Sequence, residues 1–154
     1  MPAQRDWRRC GKCQAMFFDG YQNKGVCAAG GGHQAGNRIH EFALPHDVPG
    51  TPNAQTDWRF CDKCHAMFYA GPNYPTGVCP AGGGHNAAGY NFVLPHDVQV
   101  TPQAETAWRY CGTCQVMFYD GSSSKGACPA GGGHSAAGYM FVLPRHTVVI
   151  DDAQ

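Results

Sequence analysis

The sequence predicts an all-β protein of three like units closed on one another about a pseudo-threefold axis. Three observations carry this. A segment that starts at Trp7 starts again at Trp58 and Trp108, spacings of 51 and 50 residues in a chain of 154. Glycine (21) and proline (11) make up about a fifth of the chain, and both are poor in helix interiors. Each copy also carries short aromatic and β-branched runs of the kind that fill strands, such as Met67-Phe68-Tyr69 and Asn91-Phe92-Val93-Leu94-Pro95. Open stacks of repeats need atypical polar end units. These three copies are alike, which favours closure over the alternative of three separately folded beads on a string.

Taken in chain order, each copy reads Trp-Arg-x-Cys-x-x-Cys-x-x-Met-Phe-aromatic-x-Gly, then a loop, then Gly-x-Cys-x-Ala-Gly-Gly-Gly-His and an aromatic tail. The Met-Phe-aromatic steps (Met16-Phe17-Phe18, Met67-Phe68-Tyr69, Met117-Phe118-Tyr119) read as strands, with Phe on one face and its neighbours on the other. The loops at 21–24, 72–76 and 122–125 differ in composition and length, as surface turns do. The tails at 41–45, 91–95 and 140–144 read as further strands. In the joins, Thr51-Pro52 and Thr101-Pro102 fit an N-cap followed by proline at the first helical position, predicting a helical turn or two through Ala54 or Glu105. Val98-Gln99-Val100 alternates like a half-buried strand, and Val148-Val149-Ile150 takes the equivalent place after the third copy. The organisation is one domain, 1–154, with repeats at 2–51, 52–101 and 102–154.

The nine cysteines fall three to a copy, each set followed by a histidine. The sets are Cys10, Cys13, Cys27, His33; Cys61, Cys64, Cys79, His85; and Cys111, Cys114, Cys128, His134. The spacing is C-x2-C, a gap of 13 or 14 that is long enough for two strands and a turn, then C-x5-H. Three thiolates and an imidazole suit tetrahedral Zn2+, three ions per chain in a structural role. Disulfides need pairs, and three cysteines per unit leave one over in each copy. Iron–sulfur ligation is the other cysteine-rich alternative. A catalytic zinc keeps a position open for water, which a Cys3His shell does not. His40, His46, His65 and His96 do not recur in register and are expected on the surface or just outside the metal shells.

Composition narrows the function. Eleven Lys+Arg balance 11 Asp+Glu, and charged residues are 14% of the chain against about 25% in average proteins. Three thiolates and one Zn2+ per site take the formal charge from 0 to −3. No basic stripe is present for nucleic acid, and no 18-residue apolar run for membrane insertion. The glycine triplets lack the Lys-Ser/Thr of a phosphate loop. The first residues lack the apolar stretch of a signal peptide, which predicts a cytoplasmic setting unless a leader has been removed or export follows another route.

The fuller motif, with Cys-Pro-Ala-Gly-Gly-Gly-His at 79–85 and 128–134, resembles tandem zinc-binding repeats of uncharacterised bacterial and fungal proteins. Ala28 departs from it where the other copies have proline. That resemblance implies a module that accompanies secreted enzymes or lectin-like domains. In size and threefold repetition the chain is similar to β-trefoil lectins by analogy only. The expected function is therefore non-catalytic: a zinc-stabilised module binding carbohydrate or cell-surface glycans multivalently. The alternative is a protein-interaction or self-assembling scaffold that forms a homo-oligomer. Candidate ligand contacts are Trp7, Trp58, Trp108, Tyr69, Tyr119, Tyr90 and Tyr139, the tryptophans being read first as core and otherwise as stacking platforms.

Overall fold

The computed structural model describes residues 2–36 and 40–147. It contains strands and no helix among the described residues: β1 (Ala3–Arg9), β2 (Met16–Phe18), β3 (His40–Pro45), β4 (Ala54–Cys61), β5 (Met67–Tyr69), β6 (Ala87–Pro95), β7 (Ala104–Cys111), β8 (Met117–Tyr119) and β9 (Ala136–Thr147). Every repeat is built alike. Its Trp-bearing strand lies between the three-residue strand and the tail strand, both antiparallel to it, giving β2-β1-β3, β5-β4-β6 and β8-β7-β9.

The repeats close into a ring through two sets of contacts. On the tail side, β3 pairs with β9, and the bridges His46↔Phe92 and His96↔Phe141 join β3 to β6 and β6 to β9. On the short-strand side, the amides of Phe18, Tyr69 and Tyr119 donate to the carbonyls of His65, Gln115 and Gln14, at 3.1, 3.0 and 2.9 Å. The last of these bonds returns from the third repeat to the first, so the ring has no free end on that side.

Strand alternation divides the core into two layers. Phe17, Phe68 and Phe118 point one way, into a cluster with all nine cysteines, Ala15, Ala66 and Val116. Their strand neighbours Met16, Met67 and Met117 point the other way, into a layer of Trp7, Trp58, Trp108, Phe42, Phe92, Phe141, Leu44, Leu94 and Leu143. The two-faced strands expected of the Met-Phe-aromatic step are thus present, and each layer draws residues from all three repeats.

Three expectations are corrected. The helical turns after Thr51 and Thr101 are absent. Thr51 and Ala54 instead exchange two backbone hydrogen bonds of 3.1 Å, and Thr51 Oγ1 accepts from the Asn53 amide at 3.2 Å. The chain must already be extended at Ala54 to pair with Pro95, which leaves no length for a helix. Val98 and Val100 form no strand and stand 40% and 51% exposed in the join, after Asp97 turns the chain out of the strand at φ +53°. The gap between the second and third cysteines holds one short strand and a turn-rich loop, not two strands. Val148-Val149-Ile150 lies outside the described residues.

Candidate metal centres and inter-repeat grooves

The four predicted ligands of each repeat converge. Cys10, Cys13, Cys27 and His33 are buried with their ligand atoms within 4.8 Å of one another, as are Cys61, Cys64, Cys79, His85 and Cys111, Cys114, Cys128, His134. Bonds of about 2.3 Å to sulfur and about 2.0 Å to nitrogen define a tetrahedron with edges of about 3.8 Å (S–S) and about 3.5 Å (S–N). The observed Sγ–Sγ separations of Cys10–Cys27, Cys61–Cys79 and Cys111–Cys128 are 3.8, 4.0 and 3.9 Å. Sγ–Nδ1 separations of Cys13–His33, Cys64–His85 and Cys114–His134 are 3.6, 3.4 and 3.5 Å. These distances fit donors around one ion, and all nine cysteines are free of disulfides.

Local chain geometry explains the convergence. In each C-x2-C knuckle the residue after the second cysteine turns back to donate to the first cysteine's carbonyl: Gln14 to Cys10 at 2.8 Å, His65 to Cys61 at 2.8 Å and Gln115 to Cys111 at 2.9 Å. Those three residues hold φ of +70°, +71° and +74°, a left-handed conformation that costs a side-chain-bearing residue about 1–2 kcal/mol. Amides also point at sulfur: Ala29 at Cys27 (3.4 Å), Asn86 at Cys61 (3.4 Å) and Ser135 at Cys111 (3.4 Å). Such bonds stabilise thiolate, the form that ligates metal. The glycine triplet wraps the third cysteine, with Gly82 and Gly83 at φ +107° and +65° and the Cys79 amide donating to Gly83.

A link between repeats completes each shell. With Nδ1 facing the sulfurs, the opposite ring nitrogen of each histidine donates to a knuckle carbonyl in the next repeat. His33 Nε2 meets Cys64 O at 2.9 Å, His85 Nε2 meets Cys114 O at 3.0 Å, and His134 Nε2 meets Cys13 O at 2.9 Å. This bond selects the tautomer that leaves Nδ1 free to ligate. Phe17, Phe68 and Phe118 stack on the same imidazoles at 4.9, 4.9 and 4.8 Å, fixing ring orientation. The spacing of ligands in the sequence carries no trace of this cyclic arrangement, because it joins residues of different copies.

Without a cation the sulfurs share protons unequally. The hydrogen bond from Cys64 pulls Cys61 well below the ordinary thiol range, and that from Cys114 does the same to Cys111. Cys64 and Cys114 are pushed up, first by these same bonds and then by further thiol contact or burial. Burial lowers His33, but its bonds to the Cys10 and Cys27 sulfurs outweigh that and hold it at about 9. The cluster therefore retains protons that a divalent ion displaces when it drives all three thiols to thiolate. Thiols whose values fall in the metal-bound fold stabilise it above the unfolded thiol range, and that stabilisation is lost as the pH falls. Adding metal to metal-free protein at neutral pH is expected to release protons to an indicator dye, and affinity is expected to weaken on acidification. A pH-independent affinity would contradict this ligand set.

The remaining predicted contacts separate into two groups. Trp7, Trp58 and Trp108 are fully buried, and their Nε1–H groups donate to Gln4, Gln55 and Glu105 at 3.0, 2.9 and 3.0 Å. They form the second core layer and present no face to a ligand, because the ring brings the tail strand of the neighbouring repeat against them: Phe92 on Trp7, Phe141 on Trp58 and Phe42 on Trp108. The tyrosines, by contrast, line grooves at the seams between repeats. Gln4, Phe18 and Tyr21 face Phe60, Gly89 and Tyr90 across a cavity of about 250 Å³. Gln55, Tyr69 and Tyr74 face Tyr110, Tyr139 and Phe141 across one of about 280 Å³. Glu105 and Tyr119 face Arg9, His40 and Phe42 across about 160 Å³.

Other recurring residues hold these grooves in shape. Arg59 donates to the carbonyls of Gly89 and Tyr90 at 2.9 and 3.0 Å, Arg109 to those of Gly138 and Tyr139 at 3.1 Å each, and Arg8 to that of His40 at 3.0 Å. His46 and His96 are not metal ligands and not surface residues. They are buried, each bonds the following aspartate through Nδ1 at 2.9 Å, and each stacks on a tyrosine, Tyr90 at 3.7 Å and Tyr139 at 3.6 Å. Sequence reasoning missed Tyr21, Tyr74, Phe60 and Tyr110. Their signal was a tyrosine in each of the first two loops and an aromatic at the variable position of Trp-Arg-x-Cys in the second and third copies. Burial pushes Tyr110 up to about 12 and raises Tyr69 as well, so both phenols keep their protons at neutral pH.

Compared with known proteins, the chain matches no protein-family model, no curated protein and no solved structure. The motif resemblance to tandem repeat proteins and the analogy to β-trefoil lectins gain no support from these comparisons, and the metal-binding geometry stands on the residues themselves.

Proposed function

We propose that this protein is a non-catalytic, zinc-stabilised binding module that holds carbohydrate in the grooves between its repeats. The observation that carries the reading is the pairing of three buried Cys3His clusters, each bonded to the next repeat, with aromatic grooves built jointly by adjacent repeats. Zinc is the metal favoured by three thiolates and one imidazole in a closed tetrahedral shell. That shell is complete without a water, so the metal's part is to hold the fold together rather than to activate a nucleophile. Exposed tyrosine faces suit the apolar C–H patch of a sugar ring, and phenolic oxygens suit its hydroxyls. Repetition of weak sites on one body raises avidity for a polymeric glycan.

Two measurements test it together. Metal analysis is expected to return three zinc ions per chain. A glycan array is expected to show binding that disappears when a chelator is present. Binding to none of a diverse set of polysaccharides would sink the carbohydrate reading. A concentration-dependent rise in mass by sizing would favour the self-assembling scaffold instead.

A further inference from the structure

The three seams occupy equivalent places but differ in chemistry. Between repeats 2 and 3, four phenols line the cavity: Tyr69, Tyr74, Tyr110 and Tyr139. Tyr74 and Tyr139 are 55% and 45% exposed, so both present ring surface to solvent. His96 covers one face of Tyr139 at 3.6 Å and 10°, which leaves the other available, and Arg109 clamps its backbone. Tyr74 stands edge-on against Tyr69 at 5.0 Å. None of these lining side chains is charged at neutral pH.

Between repeats 1 and 2 the same positions hold Phe18, Tyr21, Phe60 and Tyr90. Two phenols have become phenyl rings, and two hydrogen-bonding groups are gone. Tyr21 also packs down on Phe18 and Phe60, at 5.1 and 6.2 Å. Between repeats 3 and 1 the platform is replaced outright. His40 stands where the others have tyrosine, Arg145 stands where they have the stacking histidine, and Arg145 pairs with Glu105 at 3.1 Å. The Arg9 guanidinium lies over the Tyr119 ring, 5.5 Å from its centre.

We infer, on the carbohydrate reading above, that the groove between repeats 2 and 3 is the principal subsite and takes one uncharged pyranose residue of a glycan. The sugar's C–H face lies on Tyr139 and its hydroxyls meet the surrounding phenols. The cavity, about 280 Å³, sits at the small end of ligand pockets, which run about 300–1,000 Å³. That size suits a single ring better than a peptide segment. A lining with four hydroxyls and no charged side chain selects a neutral sugar over a uronate, because the neighbouring Arg109 guanidinium is already bonded to the Gly138 and Tyr139 carbonyls. The groove between repeats 1 and 2 is a weaker copy of the same site, and the one between repeats 3 and 1 is narrowed to about 160 Å³ and carries the Arg145–Glu105 pair in place of the tyrosine platform.

The test is NMR titration of the zinc-loaded protein with neutral hexasaccharides of glucose, mannose and N-acetylglucosamine, and with hexagalacturonate. Tyr74 and Tyr139 aromatic signals are expected to shift at the lowest concentration of at least one neutral sugar. Tyr139→Ala is expected to weaken that binding about tenfold or more, and Tyr90→Ala less than about threefold. Both side chains are exposed, so truncation leaves the core intact, and unchanged methyl signals of Leu94 and Leu143 check this. Earliest shifts at Tyr21 and Tyr90, equal shifts at two grooves, or preference for hexagalacturonate would each overturn the inference while leaving carbohydrate binding standing. Silence with every oligosaccharide would overturn both.

Discussion

Replacing His85 with alanine is expected to unfold the whole molecule rather than loosen one repeat. Structural zinc in small modules contributes about 10–16 kcal/mol of apparent binding free energy per site. A domain of ordinary stability has about 5–15 kcal/mol in total, so losing one ion removes as much as the fold has to spare. The structure also says how the loss spreads. His85 bonds the Cys114 carbonyl of the third repeat, and Phe68 stacks on its ring, so its removal frees the next knuckle as well as its own metal. Metal analysis and near-ultraviolet circular dichroism check the outcome: signal from all three tryptophans is expected to collapse together. A variant that keeps two ions and a native spectrum would show the repeats to be independent. His85→Cys isolates the inter-repeat bond, since it keeps a ligand but loses the Nε2–H donor. Three ions with stability lowered by about 1–3 kcal/mol are expected, the cost of leaving a buried carbonyl unpartnered.

The second large effect lies at the same seam. Gly77 and Gly89 share nearly the same positive φ, +77° and +75°. A Cβ on Gly89 would meet open space, whereas one on Gly77 would lie 2.2 Å from the Cys114 carbonyl oxygen. Gly89→Ala is therefore expected to cost about 1–2 kcal/mol from the left-handed conformation alone. Gly77→Ala adds a collision with backbone that no side-chain rotation relieves. It is expected to exceed the first cost by about 2 kcal/mol or more, in the range of overpacked cores. Equilibrium denaturation of the two zinc-loaded variants measures the difference. Equal losses would mean that the seam is loose enough to move aside, and with it the claim that the metal centres interlock. Gly25 and Gly126 hold the equivalent places against Cys64 and Cys13.

Much of this arrangement was legible in the residues, and the places where reading failed share one cause. Twelve ligands were assigned from spacing alone, because a metal shell within one repeat is a local matter of knuckle and loop. The two-faced strands followed from Met-Phe-aromatic for the same reason: strand alternation has a period of two and needs no neighbour. The helical turns at Thr51 and Thr101 failed because a capping signal is weak against strand pairing with Pro95 and Pro144, residues about 40 positions away. The tryptophans were ambiguous in sequence, since a large amphipathic ring suits both a core and a platform. Phe42, Phe92 and Phe141, each reaching across from another repeat, made them core.

The sequence by itself determined the threefold repetition, the all-β class and the three Cys3His sets that could hold metal, because each unit is written within about 50 consecutive residues. Tertiary structure alone decided how the copies meet. The histidine-to-carbonyl ring, the imidazole stacked behind Tyr90 and Tyr139, and the unequal grooves all join side chains from different repeats. Spacing within a copy cannot express contacts of that kind, and packing around a closed axis is what brings them within reach.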